Sequence, residues 1–213
     1  MSTRAKICGL KTPETVAAAV EGGASYIGFN FYPRSPRAVT PEAAARLAAL
    51  VPASVAKVAL VVDADDALID TIAGALAPEI LQLHGSETPE RVAAIRVRTG
   101  RKVMKALAIA TPADVERMRA YEFVADLLMF DAKPPPGGLP GGNGLPFDWR
   151  LLKDERWSRP WLLAGGLTPE NVAEAIRSTG ATQVDVSSGV EDRPGVKSPE
   201  KIRQFLAAAT GRS

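Results

Sequence analysis

Apolar, β-branched runs alternate along the chain with alanine-rich stretches whose apolar positions recur at helical spacing. The runs fall at 5–8, 26–31, 56–62, 80–83, 102–107, 127–131, 161–164 and 183–187, and each reads as a buried strand. Six of the intervening stretches open with a hydroxyl-proline pair: Thr12-Pro13, Thr40-Pro41, Thr88-Pro89, Thr111-Pro112, Thr168-Pro169 and Ser198-Pro199. The hydroxyl can accept from an orphan N–H of a helix start, and Pro at the first helical position needs no donor. In five of the six a Glu follows at once, where it suits the positive end of the helix dipole. A further helix is predicted over 65–76. Consecutive parallel strands need such crossover helices. Eight repeated units predict a closed barrel of parallel strands, with a doubly wound open sheet as the alternative.

No break in composition divides residues 1–213, so the chain reads as a single domain. Hydrophobic residues make up 46% and charged residues 23%, which suits one large core under a solvated surface. A net charge of +2 without a clustered basic stretch predicts no nucleic-acid partner. No apolar run approaches the ~20 residues that span a bilayer, and no apolar leader precedes the first strand. With one cysteine, no intramolecular disulfide can form, and a cytoplasmic location is expected. One histidine and one cysteine exclude a zinc site built of those ligands, whereas counting leaves carboxylate-bound magnesium open.

Reactive or glycine-rich positions recur just after the predicted strands, where a barrel places its active site. Cys8 ends the first strand; it is either a small buried hydrophobe or a thiolate that serves as nucleophile or base. Asp131 ends the sixth, and reads either as a carboxyl paired with Lys133 or as a general acid. Arg34 and Arg37 follow the second strand in a loop stiffened by Pro33 and Pro36, where an arginine fork suits a carboxylate. Gly165-Gly166 and Ser187-Ser188-Gly189 follow the seventh and eighth strands, and small residues there let backbone N–H groups approach a phosphate. His84, at the end of the fourth strand, and Asp185, on the eighth, are read as substrate-contacting or supporting groups. Loop 132–147 carries five Pro and five Gly, and Gly142 and Gly144 within it are candidates for a cover over the phosphate corner.

These residues make the chain resemble the phosphoribosylanthranilate isomerases. The resemblance rests on Lys6-Ile7-Cys8-Gly9-Leu10, the run from Gly28 to Arg37, Leu81 to Glu87, Phe147-Asp148-Trp149, Ala164 to Leu167 and Val184 to Glu191, in the family's order. It implies a single-domain (β/α)8 TIM barrel and a cofactor-free Amadori rearrangement in tryptophan biosynthesis. N-(5-phosphoribosyl)anthranilate becomes 1-(2-carboxyphenylamino)-1-deoxyribulose 5-phosphate. Cys8 matches the family's general base, Asp131 its general acid and Arg37 its receptor for the anthranilate carboxylate. The glycine turns match its phosphate cradle. Where many relatives carry Lys-Thr ahead of Phe-Asp-Trp, this chain has Leu145-Pro146, which puts the loop's part in phosphate binding in question. A histidine-pathway or dual-substrate aminoaldose isomerase and a non-catalytic phosphosugar-binding barrel stay open as alternatives. So do a monomer and a homodimer.

Overall fold

A computed structural model describes residues 3–133, 148–153 and 155–211. Strands β1 (Arg4–Cys8), β2 (Tyr26–Asn30), β3 (Ala56–Val61), β4 (Ile80–Leu83), β5 (Lys102–Ile109), β6 (Leu127–Ala132), β7 (Trp161–Leu163) and β8 (Gln183–Val186) pair in order, all parallel. The circle closes where β8 pairs with β1, so the barrel reading holds and the open sheet does not. Helices α1 (Pro13–Glu21), α2 (Pro41–Ala48), α3 (Asp66–Leu76), α4 (Pro89–Thr99), α5 (Pro112–Met118) and α6 (Val172–Thr179) lie on the crossovers, and α7 (Pro199–Thr210) follows the last strand. A small antiparallel ribbon, β9 (Glu191–Arg193) with β10 (Val196–Lys197), lies between β8 and α7.

Five of the hydroxyl-proline pairs start helices as expected: Thr12, Thr40, Thr88, Thr111 and Ser198 each accept a backbone N–H from the first turn. Thr168-Pro169 does not. There the helix begins at Val172, and Thr168 to Asn171 form a turn that Asn171 braces with its side chain. Its carboxamide accepts from Thr168 N–H at 2.8 Å and donates to the Gly166 carbonyl at 2.9 Å. The β6–β7 connection carries a short 3-10 turn, Trp149–Leu152, among its described residues.

Strand side chains alternate between two apolar environments. Ile7, Ile27, Phe29, Leu81, Leu83, Val103, Leu128, Phe130 and Val184 pack outward against the buried stripes of the helices. On α7 that stripe is Ile202, Phe205, Leu206 and Ala209, the spacing of one helical face. Tyr26, Val58, Ile80, Met104, Leu127, Met129 and Leu162 fill the lower barrel. The mouth formed by the strands' C-terminal ends is where inward positions turn polar. One charged pair breaks the outward apolar rule. Lys105 on β5 reaches Glu87 at 2.7 Å and the Gly85 carbonyl at 2.7 Å, and Glu87 accepts from the Asp63 and Gly85 N–H groups. This knot ties down the segment that follows His84.

Candidate active site

The parallel register sets Lys6 on β1 directly opposite Asp185 on β8. Both point inward, and Lys6 Nζ donates to Asp185 Oδ1 at 2.8 Å with no solvent exposure of the lysine. Cys8 lies two residues further along β1, on the same face and nearer the mouth. Gly28 on β2 makes the room. A Cβ there would stand 3.0 Å from Cys8 Sγ and 3.1 Å from Lys6 Nζ, so thiol and ammonium crowd one bare stretch of backbone. Burial opposes the Lys6 charge, but Asp185 and Cys8 outweigh it and hold the ammonium above the ordinary lysine range. Burial also dominates at Cys8 and pushes the thiol up; Lys6 and, more weakly, Lys197 oppose the rise, while Asp185 adds to it.

Asp131 is on β6 and points into the mouth. Its neighbour is His84 rather than Lys133: His84 Nε2 lies 3.2 Å from Asp131 Oδ2, and Ala132 N–H donates to Oδ1 at 2.8 Å. The Gln82 amide nitrogen lies 2.9 Å from His84 Nδ1. If that amide donates, Nδ1 accepts and Nε2 carries the proton shared with Asp131. Gly165, at φ +84°, is required beside this carboxyl. A Cβ there would meet Ala132 N at 2.6 Å and Asp131 Oδ1 at 3.2 Å.

Of the two arginines after β2, Arg34 is exposed and Arg37 is buried. Arg37 grips Glu191 as a fork, Nε to Oε1 at 2.8 Å and Nη2 to Oε2 at 2.9 Å. Lys197 Nζ shares Oε1 at 2.6 Å. Burial raises the Glu191 carboxyl, but Arg37 and Lys197 more than offset this and hold it below the usual range. Lys197, buried beside a second cation, is pulled down to about 8 despite Glu191. The turns after β7 and β8 touch: Gly189 presses on the Leu167 carbonyl so closely that no Cβ would fit. Gly165 and Gly166 both have positive φ, +84° and +65°, and their amides donate to no other described backbone group. A 3-10 turn, Ser188–Val190, follows β8 at once. Gly142 and Gly144 lie outside the described residues.

Those expected site residues that are described therefore gather at one mouth, with one shift of emphasis. Asp185 sits below the thiol as the partner of Lys6 rather than at the rim. Sequence reasoning overlooked Gln82, Glu191 and Lys197. Glu191 and Lys197 sit in a polar stretch that looks solvated, and only the ribbon register, with Lys197 opposite Glu191, turns both inward. Among the described residues no cluster of three or more His, Cys, Asp or Glu could hold a metal ion, and no helix is long and apolar enough to cross a membrane.

Comparison with known proteins agrees with this geometry along the whole chain. The family described as N-(5'-phosphoribosyl)anthranilate (PRA) isomerase matches residues 5–208. The N-(5'-phosphoribosyl)anthranilate isomerase of Parvibaculum lavamentivorans is 58% identical over 212 residues, covering 98% of this chain and 99% of that relative. That of Rhodospirillum centenum is 56% identical over 211 residues, with 98% and 99% covered. The crystal structure of phosphoribosyl anthranilate isomerase from Thermotoga maritima superposes with a TM-score of 0.89 at 36% identity, covering 98% of this chain and 99% of that one. A second structure, of phosphoribosyl anthranilate isomerase in complex with reduced 1-(o-carboxyphenylamino)-1-deoxyribulose 5-phosphate, gives a TM-score of 0.85 at 35% identity, with 98% and 99% covered. With barrel, mouth and near-complete coverage in agreement, this chain belongs to the N-(5'-phosphoribosyl)anthranilate isomerase family.

Proposed function

We propose that the C-terminal mouth of this one barrel domain carries out the family's Amadori rearrangement of N-(5-phosphoribosyl)anthranilate with Cys8 and Asp131 as its proton-transfer pair. The observation that carries the reading is their placement. Cys8 ends β1 and Asp131 is the last but one residue of β6, both side chains face inward at one mouth, and each lies beside its own partner, Lys6 for the thiol and His84 for the carboxyl. In its carboxylic acid form Asp131 donates a proton to the ribose ring oxygen and opens the sugar to a protonated Schiff base, and the carboxylate left behind is the form that His84 Nε2–H supports. That cation acidifies C2–H, and Cys8 removes the proton to leave an enaminol, which tautomerises to the ketose. The iminium also favours the thiolate, together with Lys6, against the burial that pushes the thiol up, and the thiol gives its proton to solvent before it takes the one from C2. Arg37 receives the anthranilate carboxylate, and His84 holds Asp131 towards the substrate. The turns at Gly165-Gly166 and Ser187-Ser188-Gly189 take the phosphate, with Gly142 and Gly144 as its cover. The chemistry consists of proton transfers and calls for no cofactor. All these groups come from one chain, so a monomer is competent, and a homodimer would carry two separate sites. A cytoplasmic location fits a substrate of this kind.

The test is a fluorescence assay of freshly made substrate with purified protein and added chelator. Cys8→Ala and Asp131→Asn are each expected to lower kcat by ~10²–10⁴-fold while the affinity for the reduced product stays within about threefold. An Asp131→Asn enzyme with an unchanged rate would remove the acid assignment. A folded wild-type protein that binds the reduced product but turns over nothing would be a binding barrel. The histidine-pathway aminoaldose, offered in the same assay, reports on a second substrate.

A further inference from the structure

We propose that Glu191 and Lys197, on the ribbon between β8 and α7, are positioning residues that hold Arg37 in its receptor geometry and so set selectivity for an aromatic carboxylate. The inference rests on the reading of Arg37 as the carboxylate receptor.

An arginine on a loop has many rotamers, and a receptor is useful only if one of them is held before the ligand arrives. Among the described residues, three features help hold Arg37 and its loop. A Cβ at Gly9 would lie 2.9 Å from Arg37 Cδ, so the methylene stem lies flat on glycine backbone. Gly195, at φ +79°, presses on the neighbouring Pro36 carbonyl, where a Cβ would come within 2.5 Å. The Glu191 fork then fixes the plane of the guanidinium.

Glu191 is itself held on both oxygens. Oε1 accepts from Arg37 Nε and from Lys197 Nζ, and Oε2 accepts from Arg37 Nη2 and from Gly195 N–H at 3.2 Å. Turning the carboxylate would break bonds to the arginine and to the ribbon together. Lys197 is saturated as well. Its three protons go to Glu191 Oε1 at 2.6 Å, the Ser187 carbonyl at 3.0 Å and Ser187 Oγ at 3.2 Å. It therefore has no donor left for a substrate and acts through its neighbours. Ser187 Oγ in turn donates to the Cys8 carbonyl at 3.3 Å, so the same lysine ties the carboxylate end of the site to the strand that bears the base.

The ribbon adds little to the core. Asp192, Arg193, Pro194 and Val196 are exposed, while Gly195 and Lys197 are buried and Glu191 is nearly so. Buried charges are a poor way to stabilise an element with so few apolar contacts. What the arrangement does supply is a fixed orientation for the cation after β2.

The experiment measures, by calorimetry, the dissociation constants of two ligands: reduced 1-(o-carboxyphenylamino)-1-deoxyribulose 5-phosphate and the same molecule without the carboxyl group. Their ratio isolates the carboxylate contact, since a general loss of structure weakens both alike. Arg37→Met is the benchmark and is expected to lower the ratio by ~10–100-fold, the worth of a charge-assisted fork. Glu191→Asp keeps the charge but withdraws the fork by one methylene. It is expected to lower the ratio by about tenfold, with the carboxyl-free ligand bound within about twofold of wild type. Lys197→Met should do the same, and Lys197→Arg should restore part of the ratio. If Glu191→Asp and Lys197→Met leave the ratio at its wild-type value, or weaken both ligands equally, the positioning role is wrong even where Arg37→Met collapses the ratio. If Arg37→Met itself leaves the ratio unchanged, the receptor reading fails first. Should Lys197→Met not fold, Glu191→Asp alone decides.

Discussion

Cys8 is the chain's one cysteine, so thiol chemistry reports on a single atom. Its surroundings pull in two directions. Burial favours the neutral thiol, and Lys6, with the weaker help of Lys197, favours the thiolate. Burial prevails, which yields a prediction of definite sign. The rate of alkylation by iodoacetamide should still be climbing at pH 9, the ordinary thiol value. In Lys6→Met the climb should move to higher pH, because the nearest opposing cation has gone. Faster alkylation at pH 8 in that variant would show that Lys6 does not favour the thiolate. The residue types at strand ends, Cys8 and Asp131 among them, were legible in the sequence because a reactive group closing an apolar run is a local pattern. Their partners were not. Lys6 and Asp185 are 179 residues apart, and His84 had no sequence feature tying it to Asp131.

At the scale of the element, the hydroxyl-proline pairs were the best local evidence for helices, and α6 shows where such evidence stops. Thr168 has the right neighbours, yet its N–H is taken by the Asn171 side chain, which also binds the Gly166 carbonyl. A turn that must shape Gly165-Gly166 thus competes with a helix start and wins. Two truncations separate the cases. Thr88→Ala removes a true cap from α4 and should cost ~1 kcal/mol in chemical denaturation. Thr168→Ala should cost less than about 0.5 kcal/mol, because its hydroxyl caps nothing. Asn171→Ala, by contrast, should cost ~1–2 kcal/mol for two lost hydrogen bonds and weaken inhibition by inorganic phosphate. A Thr168→Ala loss as large as that of Thr88→Ala would contradict this account.

For the whole molecule, the decisive event is closure of β8 on β1, which brings Lys6 opposite Asp185 and puts an ion pair across the seam. Removing one partner leaves the other buried alone. Lys6→Met is therefore expected to cost ~3–5 kcal/mol in urea denaturation. The double change Lys6→Met/Asp185→Leu should recover most of that stability while activity stays low, since the thiol has lost its nearest cation. If the double variant were as unstable as the single one, the pair would be holding the seam by more than mutual neutralisation. The order of strands and helices, the barrel class and most of the mouth's residues could be read along the chain. Those features rest on periodicity and capping, which act over a few neighbouring positions, and on motifs that stay contiguous along the chain. Which polar groups meet was settled by packing: Lys6 with Asp185, His84 with Asp131, and Glu191 with Arg37 and Lys197. Such pairings depend on strand register, on ribbon twist and on room left by glycines such as Gly28 and Gly165, and these are settled when distant segments pack against one another.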